Sequence, residues 1–332
     1  MDALTARRSP LERATALQPL ISEDAQAGER LGHLTDRVAA ALLDDGLIQI
    51  LVPERLGGLG ASRQDFFDAV EAIAFADGSA GWCASVCNAV TQSLLTGLAP
   101  AAQEEVFGHG PVSCWTSLQP RAVFAAEDGG YRVSYRGTFG SGSSISSWAL
   151  VAGNVGDPQA GRYRAFLVPK AEVRIAEGSW DVMGLRGTAS IDYTIEDRFV
   201  PPHHSWEYDW ISRESGGALS AVDLVRLNAV GLTAFALGVG RRALSELIAS
   251  AGKTRRTVAF GVQAEDAVVQ FGVGEIDGRL RAGRSHLAQL VSGMDAQAAE
   301  GRLMTPDEGL ELSQACITLS RAARDAAIFA FD

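Results

Sequence analysis

The sequence predicts an α+β chain in three parts: an N-terminal helical domain, a central antiparallel β-domain and a C-terminal helical bundle. Three observations carry this. Apolar residues recur at helical spacing up to about residue 110, in Leu34, Val38, Ala41 and Leu42 and again in Phe66, Val70, Ile73 and Ala74. Short β-like runs separated by turn residues fill residues 112 to 201. Three long helix-periodic stretches then run to the last residue. We place the divisions at 1–111, 112–215 and 216–332.

Element by element, a helix over 34–45 leads into Val52-Pro53-Glu54-Arg55-Leu56-Gly57-Gly58-Leu59-Gly60, where Pro and three Gly break the helix. A second helix carries Phe66 to Ala74. Asp77-Gly78-Ser79 opens a third, through Trp82 to Leu95, with Ser79 as its N-cap. Tyr131–Tyr135, Trp148–Ala152 and Tyr163–Val168 read as strands, separated by turns at Asp128-Gly129-Gly130 and Asp157-Pro158. Residues 181–201 combine Gly184, Gly187, Thr188 and Ser190 with a strand in which Ile191, Tyr193 and Ile195 alternate with polar residues. This is a tight turn feeding a half-buried strand. An irregular aromatic linker with Trp206, Tyr208 and Trp210 leads to helices over 219–250, 262–299 and 306–332. The last is opened by Thr305-Pro306-Asp307-Glu308. It ends in an apolar stretch, so the bundle reads as lacking its last helix.

Composition narrows the function classes. A net charge of −11 opposes nucleic acid and anionic membranes as partners. No signal-peptide layout is present and no apolar run reaches about 18 residues, which predicts a cytoplasmic protein. The four Cys (Cys83, Cys87, Cys114 and Cys316) read as buried structural thiols. The five His are scattered without ligand spacing, so no metal is expected, and His203 and His204 read as a surface loop. No Gly-x-Gly-x-x-Gly element follows a strand, so the chain shows no nicotinamide site of its own.

Several motifs in fixed order then carry a more specific signal. They are the Pro53–Gly60 loop, Asp77 to Trp82, Gly137-Thr138-Phe139-Gly140-Ser141-Gly142, Trp180 to Ser190, and Val200-Pro201. Over about residues 30 to 330 this order resembles the acyl-CoA dehydrogenase superfamily, nearest its two-component flavin-dependent monooxygenases, the group D hydroxylases. The resemblance implies reduced FMN or FAD supplied by a separate flavin reductase, with O₂ and a small aromatic or heteroatom-bearing metabolite as the other reactants. It implies a homo-oligomer, a tetramer. Trp115, Thr116, Ser117, Phe139, Gly140, Ser141 and Gly142 would lie along the flavin ring, with Ser141 as the catalytic residue at N5. Arg256 and Phe260 match an element that reaches the cofactor phosphates. Trp82 and Met183 would help to form the substrate pocket.

Bland readings stand beside these. Ser141 is also an ordinary β-turn serine, Trp82 plain core, and Arg255-Arg256 a solvated turn. Departures separate the branches. A dehydrogenase needs a carboxylate to take the proton α to a thioester carbonyl. Where one branch carries Asp-Leu-Glu-Arg, this chain has Asp223-Leu224-Val225-Arg226, and valine takes no proton. The other branch's Glu lies in a segment with no counterpart here. Oxygenation is therefore expected. The alternatives are an acyl-CoA dehydrogenase with an unrecognised base, or a non-catalytic shortened member.

Overall fold

The computed structural model describes residues 8–117, 122–157, 163–208, 224–253 and 262–331. Helices α1 (Pro10–Leu31), α2 (Asp36–Asp44), α3 (Arg63–Ala76), α4 (Gly78–Gly97) and α5 (Pro100–Phe107) precede the sheet. The sequence reading does not single out α1: Pro19 lies inside it, and its buried stripe includes Ala14, Asp24 and Gly28 beside Ile21. A Ser9–Glu12 capping box starts it. The N-cap of α4 lies two residues earlier than expected. Asp77, not Ser79, caps it, accepting from the Ala80 N–H at 2.8 Å, while the Ser79 hydroxyl lies 3.1 Å from Glu29.

Strands β1 (Cys114–Thr116), β2 (Val123–Glu127), β3 (Gly130–Gly140), β4 (Trp148–Val155), β5 (Tyr163–Pro169), β6 (Arg174–Ala176), β7 (Ile191–Val200) and β8 (Ser205–Glu207) form one eight-stranded sheet. Its order is β6-β7-β3-β2-β4-β5-β8. Most pairings are antiparallel, as expected, but β1 and β2 lie end to end along β4 and pair with it in parallel. The sheet is thus mixed. Trp206 is no part of an irregular linker. It sits in β8 opposite Ala165, and its indole fills the space where a Cβ on Gly97 of α4 would lie 2.1 Å from the ring.

Helices α6 (Leu224–Ala251), α7 (Ala267–Ala299) and α8 (Pro306–Phe331) complete the described fold. The Thr305 backbone and hydroxyl box with Glu308 as the sequence implies, and the Arg302 guanidinium, helped by the Thr305 N–H, holds the Glu308 carboxyl down at about 2. Leu227, Val230 and Leu237 of α6 share one core with Phe66, Phe67 and Ile73 of α3 and with Leu287 and Leu319 of α7 and α8. By length and composition alone α6 could cross a membrane. In this fold it is instead the inner helix, wedged against α3, α4 and α8.

Small residues permit that wedging. A Cβ on Gly238 would sit 2.4 Å from the Glu71 carbonyl oxygen, and one on Gly240 would sit 2.6 Å from that of Ala323. Charge reinforces the same seam. The buried Glu71 carboxylate takes Arg241 of α6 and, at 2.7 Å, Arg284 of α7, which also reaches Asp68 at 2.6 Å. Arg63, buried at the start of α3, pairs with Asp295 at 2.7 Å. Removing one partner of such a set leaves an uncompensated buried charge, so the pairing fixes geometry more than it adds net stability. Gly238→Ala gains helix propensity of up to about 1 kcal/mol but overpacks the α3–α6 seam by about 1–3 kcal/mol. The expected net result is a lower midpoint in urea or thermal unfolding; an unchanged or raised midpoint would show that the seam can yield.

Candidate active site

Two turns build the site. The first follows β3, where Phe139 holds a left-handed φ of 59° and Gly142 one of 75°. The second precedes β7, with Leu185 and Ala189 at φ 61° and 47°. Non-glycine residues in this region carry strain that surrounding contacts must hold. Here those contacts are explicit. The Gly142 N–H donates to the Thr188 carbonyl at 2.8 Å, and the Ser143 hydroxyl donates to the Ala189 carbonyl at 3.0 Å. Gly142 is required twice over, since a Cβ there would lie 2.4 Å from the Cys87 sulfur.

Between these turns, α4 and the start of α6 lies a cavity of about 460 Å³. Trp82, Val86 and Val90 of α4 form one wall. Trp115, Phe139, Trp180 and Leu185 supply further apolar surface, and Thr116, Ser141, Thr188, Ser190 and Asn228 the polar atoms. None of these described lining residues is ionisable. The aromatic walls are fixed by edge contacts: Trp82 on Phe235 at 5.2 Å, Trp115 on Tyr193 at 5.7 Å and Phe139 on Trp180 at 6.0 Å between ring centres. Behind the wall, burial pushes the Tyr193 hydroxyl and the Cys83 and Cys87 thiols up from their ordinary ranges, so all three stay neutral at pH 7.

Hydroxyl groups line one side of the cavity in series. Ser141 Oγ lies 2.6 Å from Ser190 Oγ, which lies 2.6 Å from Thr188 Oγ1, which donates to the Leu185 carbonyl at 2.8 Å. Thr116 is tied differently, donating to the Leu150 carbonyl at 2.7 Å.

Of the residues picked out from sequence, Trp82, Trp115, Thr116, Phe139 and Ser141 meet at this cavity. Gly140 and Gly142 shape its turn; a Cβ on Gly140 would press on the Trp115 indole at 3.2 Å. Ser117 stands behind it, its hydroxyl accepting from the Thr138 N–H at 3.2 Å. Met183 is fully exposed and lies off the cavity wall. Arg256 and Phe260 lie outside the described residues. Sequence reasoning missed Trp180, Leu185, Thr188, Ser190 and Asn228 as site residues, and with them Val86 and Val90 of α4. The first four sit in the very motif that names the turn, and Asn228 is one helical turn from Val225, the residue that marks the missing base.

His203 is exposed, as a surface loop implies, but His204 departs from that expectation. His204 is buried against Trp148, and both rings turn Nε2 toward Glu105, at 3.5 Å for His203 and 3.3 Å for His204. The three side chains come close enough together to hold a metal ion, against the scattered distribution read from sequence.

A protein-family model described as the acyl-CoA dehydrogenase C-terminal domain matches residues 230–332. The flavin-dependent monooxygenase oxygenase subunit HsaA of Mycobacterium tuberculosis is 31% identical over 268 residues, covering 78% of this chain and 68% of that protein. The chain belongs to this family of flavin-dependent monooxygenases. HsaA of Rhodococcus jostii is 36% identical over 195 residues, 58% of this chain; the match spans half the length of that relative. The crystal structure of 3-HSA hydroxylase from Rhodococcus sp. RHA1 superposes with a TM-score of 0.87 at 27% identity, covering 98% of this chain and 85% of that one. The family's fold is thus the one seen here.

Two outcomes are expected. Gly142→Ala strains φ and drives a methyl group into Cys87, so unfolding free energy should fall by about 1–3 kcal/mol, measured in urea. A fall no larger than that of an exposed control would show that the two turns are not braced as described. For His204, burial holds the imidazole below its ordinary range, with His203 adding to this and Glu105 opposing it. The folded chain thus resists a proton that the unfolded chain accepts near pH 6.5. Stability is full above that value and declines as pH falls through it toward the lower folded value. His204→Phe should flatten the urea-midpoint profile between pH 7 and 5.5; a profile that keeps its slope would assign the effect elsewhere.

Proposed function

We propose that the chain is the oxygenase component of a two-component monooxygenase. It takes reduced FMN or FAD from a separate flavin reductase and uses O₂ to oxygenate a small aromatic or heteroatom-bearing metabolite. One observation carries the reading: an aromatic-walled cavity whose described lining offers hydroxyl and amide groups but no ionisable residue. Proton abstraction α to a thioester needs a carboxylate that this lining lacks. Oxygen transfer from a flavin needs instead a dry, apolar slot with a few fixed polar contacts.

The residues present fit a flavin ring. The cavity is of ordinary ligand size, and the Trp82 indole N–H is buried without a partner among the described residues. When bound, reduced flavin supplies the electrons that activate O₂. The chain does the rest. Trp82, Val86, Val90 and Trp180 exclude water, the Ser141 hydroxyl meets the proton-bearing edge of the ring, and Asn228 offers an amide to a polar substituent. Trp115, Thr116, Phe139, Gly140 and Gly142 position that edge, with Ser117 supporting them from behind. Arg256 and Phe260 would serve the cofactor's phosphate end.

A three-part division at residues 111 and 215 suits this arrangement, with the cavity where the parts meet. Exposed Val268 and Phe271 on α7 and Ile317 and Ile328 on α8 support self-association, as a tetramer in this reading. An acidic enzyme fed by diffusing reduced flavin suits the cytoplasm.

The test mixes the protein anaerobically with reduced FMN or FAD, then admits O₂ with a panel of phenols and indoles. Oxygenated product with little hydrogen peroxide is expected. In Ser141→Ala, loss of one hydrogen bond of about 1–1.5 kcal/mol should divert roughly tenfold more O₂ to peroxide. Failure of both reduced flavins to bind would overturn the reading, as would bleaching of bound oxidised flavin by an acyl-CoA thioester.

A further inference from the structure

We infer that Thr188 and Ser190 fix the hydrogen-bond polarity of Ser141, making it an acceptor toward the cavity, so that the site selects a flavin whose N5 carries a proton. The inference deepens the monooxygenase reading and rests on it. Each hydroxyl in the series has one proton to give. A carbonyl oxygen only accepts, so the 2.8 Å contact between Thr188 Oγ1 and the Leu185 carbonyl uses the single Thr188 hydroxyl proton. The 2.6 Å contact between Thr188 and Ser190 can then be made only by the Ser190 proton. The 2.6 Å contact between Ser190 and Ser141 must in turn use the Ser141 proton. A fixed acceptor at one end therefore orients all three hydroxyls in one direction. Ser141 is left with lone pairs for whatever stands in the cavity.

Oxidised flavin presents a lone pair at N5 and would meet those lone pairs with no proton between them. Reduced flavin presents N5–H, which they accept. The chain is rigid where it must be. Thr188 and Ser190 are buried, and the Thr188 backbone is held by Gly142. Reversing the series would cost the Leu185 contact, and buried polar groups resist losing a partner. Thr188 and Ser190 are in this sense positioning residues: they act on the cofactor through Ser141.

The experiment measures equilibrium binding of oxidised and of anaerobically reduced FMN to wild type, Thr188→Val, Thr188→Ser and Ser190→Ala, with thermal unfolding as the check on folding. Valine matches threonine in shape, and the Leu185 carbonyl keeps the Thr188 N–H at 3.2 Å. Without the terminal anchor Ser190 is free to donate to Ser141, which releases the Ser141 proton for an N5 lone pair. Thr188→Val should therefore lower the reduced-to-oxidised affinity ratio by about five- to tenfold, the worth of one such bond, chiefly by tightening oxidised FMN. Thr188→Ser should keep the wild-type ratio. Ser190→Ala frees the same Ser141 proton directly and should lower the ratio likewise, which keeps the test open should Thr188→Val fail to fold. A folded Thr188→Val or Ser190→Ala with the wild-type ratio would overturn the inference while leaving the monooxygenase reading intact. Wild type that binds neither form would instead remove the reading beneath it.

Discussion

The docking of the Leu185–Ser190 turn onto the Phe139–Ser143 turn is the contact on which the site depends. It joins two places where the backbone is driven into the left-handed region without glycine, and strained turns of that kind persist only when neighbours hold them. The Gly142 N–H on the Thr188 carbonyl and the Ser143 hydroxyl on the Ala189 carbonyl supply that hold. Because the same turn carries Thr188 and Ser190, the bond that sets backbone geometry also sets where the hydroxyl series begins. Site chemistry and local fold are one structure here.

The second constraint is the position of α6. Its N-terminal turns bring Asn228 to the cavity, and its middle is fixed by glycines against α3 and α8 and by Arg241 on the buried Glu71. A helix that is apolar enough to enter a membrane is thus held in the core of this fold by close backbone packing on several sides. Trp82 packs on Phe235 of the same helix, so shifts in that seam would move Asn228 and Trp82 together relative to Ser141. The charged network holds the same helix that carries Asn228.

Much of this was legible in the sequence, and the reasons differ by element. The helices with apolar stripes were readable because burial on one face imposes a 3.6-residue period. The fold and five of the cavity's residues followed from motif order. Helix α1 was not readable, because an internal Pro and a stripe of small buried residues carry little periodic signal. The parallel pairing of β1 and β2 along β4 depends on contacts remote in sequence, and no local pattern encodes them. Trp206 read as linker because a three-residue strand is too short to alternate. The burial of His204 and its approach to Glu105 needed α5 and the end of β7 to meet in space. Thr188 and Ser190 were visible as a motif, but their role is a matter of which hydroxyl donates to which, and that requires distances.

Of the two positions where a dehydrogenase base is expected, one falls on α6, at Val225. Val225 and Asn228 are three residues apart, which on a helix places them on neighbouring parts of one face. Asn228 lines the cavity, so a carboxylate at 225 would stand at its rim, where it could serve a thioester α-carbon. Valine there supplies no proton acceptor. The hydroxyl series on the opposite wall has no such acid–base capacity, since its three groups are neutral at every physiological pH. It can orient a hydrogen bond but cannot hold a charge. On the proposed reading, an uncharged cavity with one directed acceptor suits a cofactor that arrives already reduced, because it then has no need to take electrons from a carbon acid.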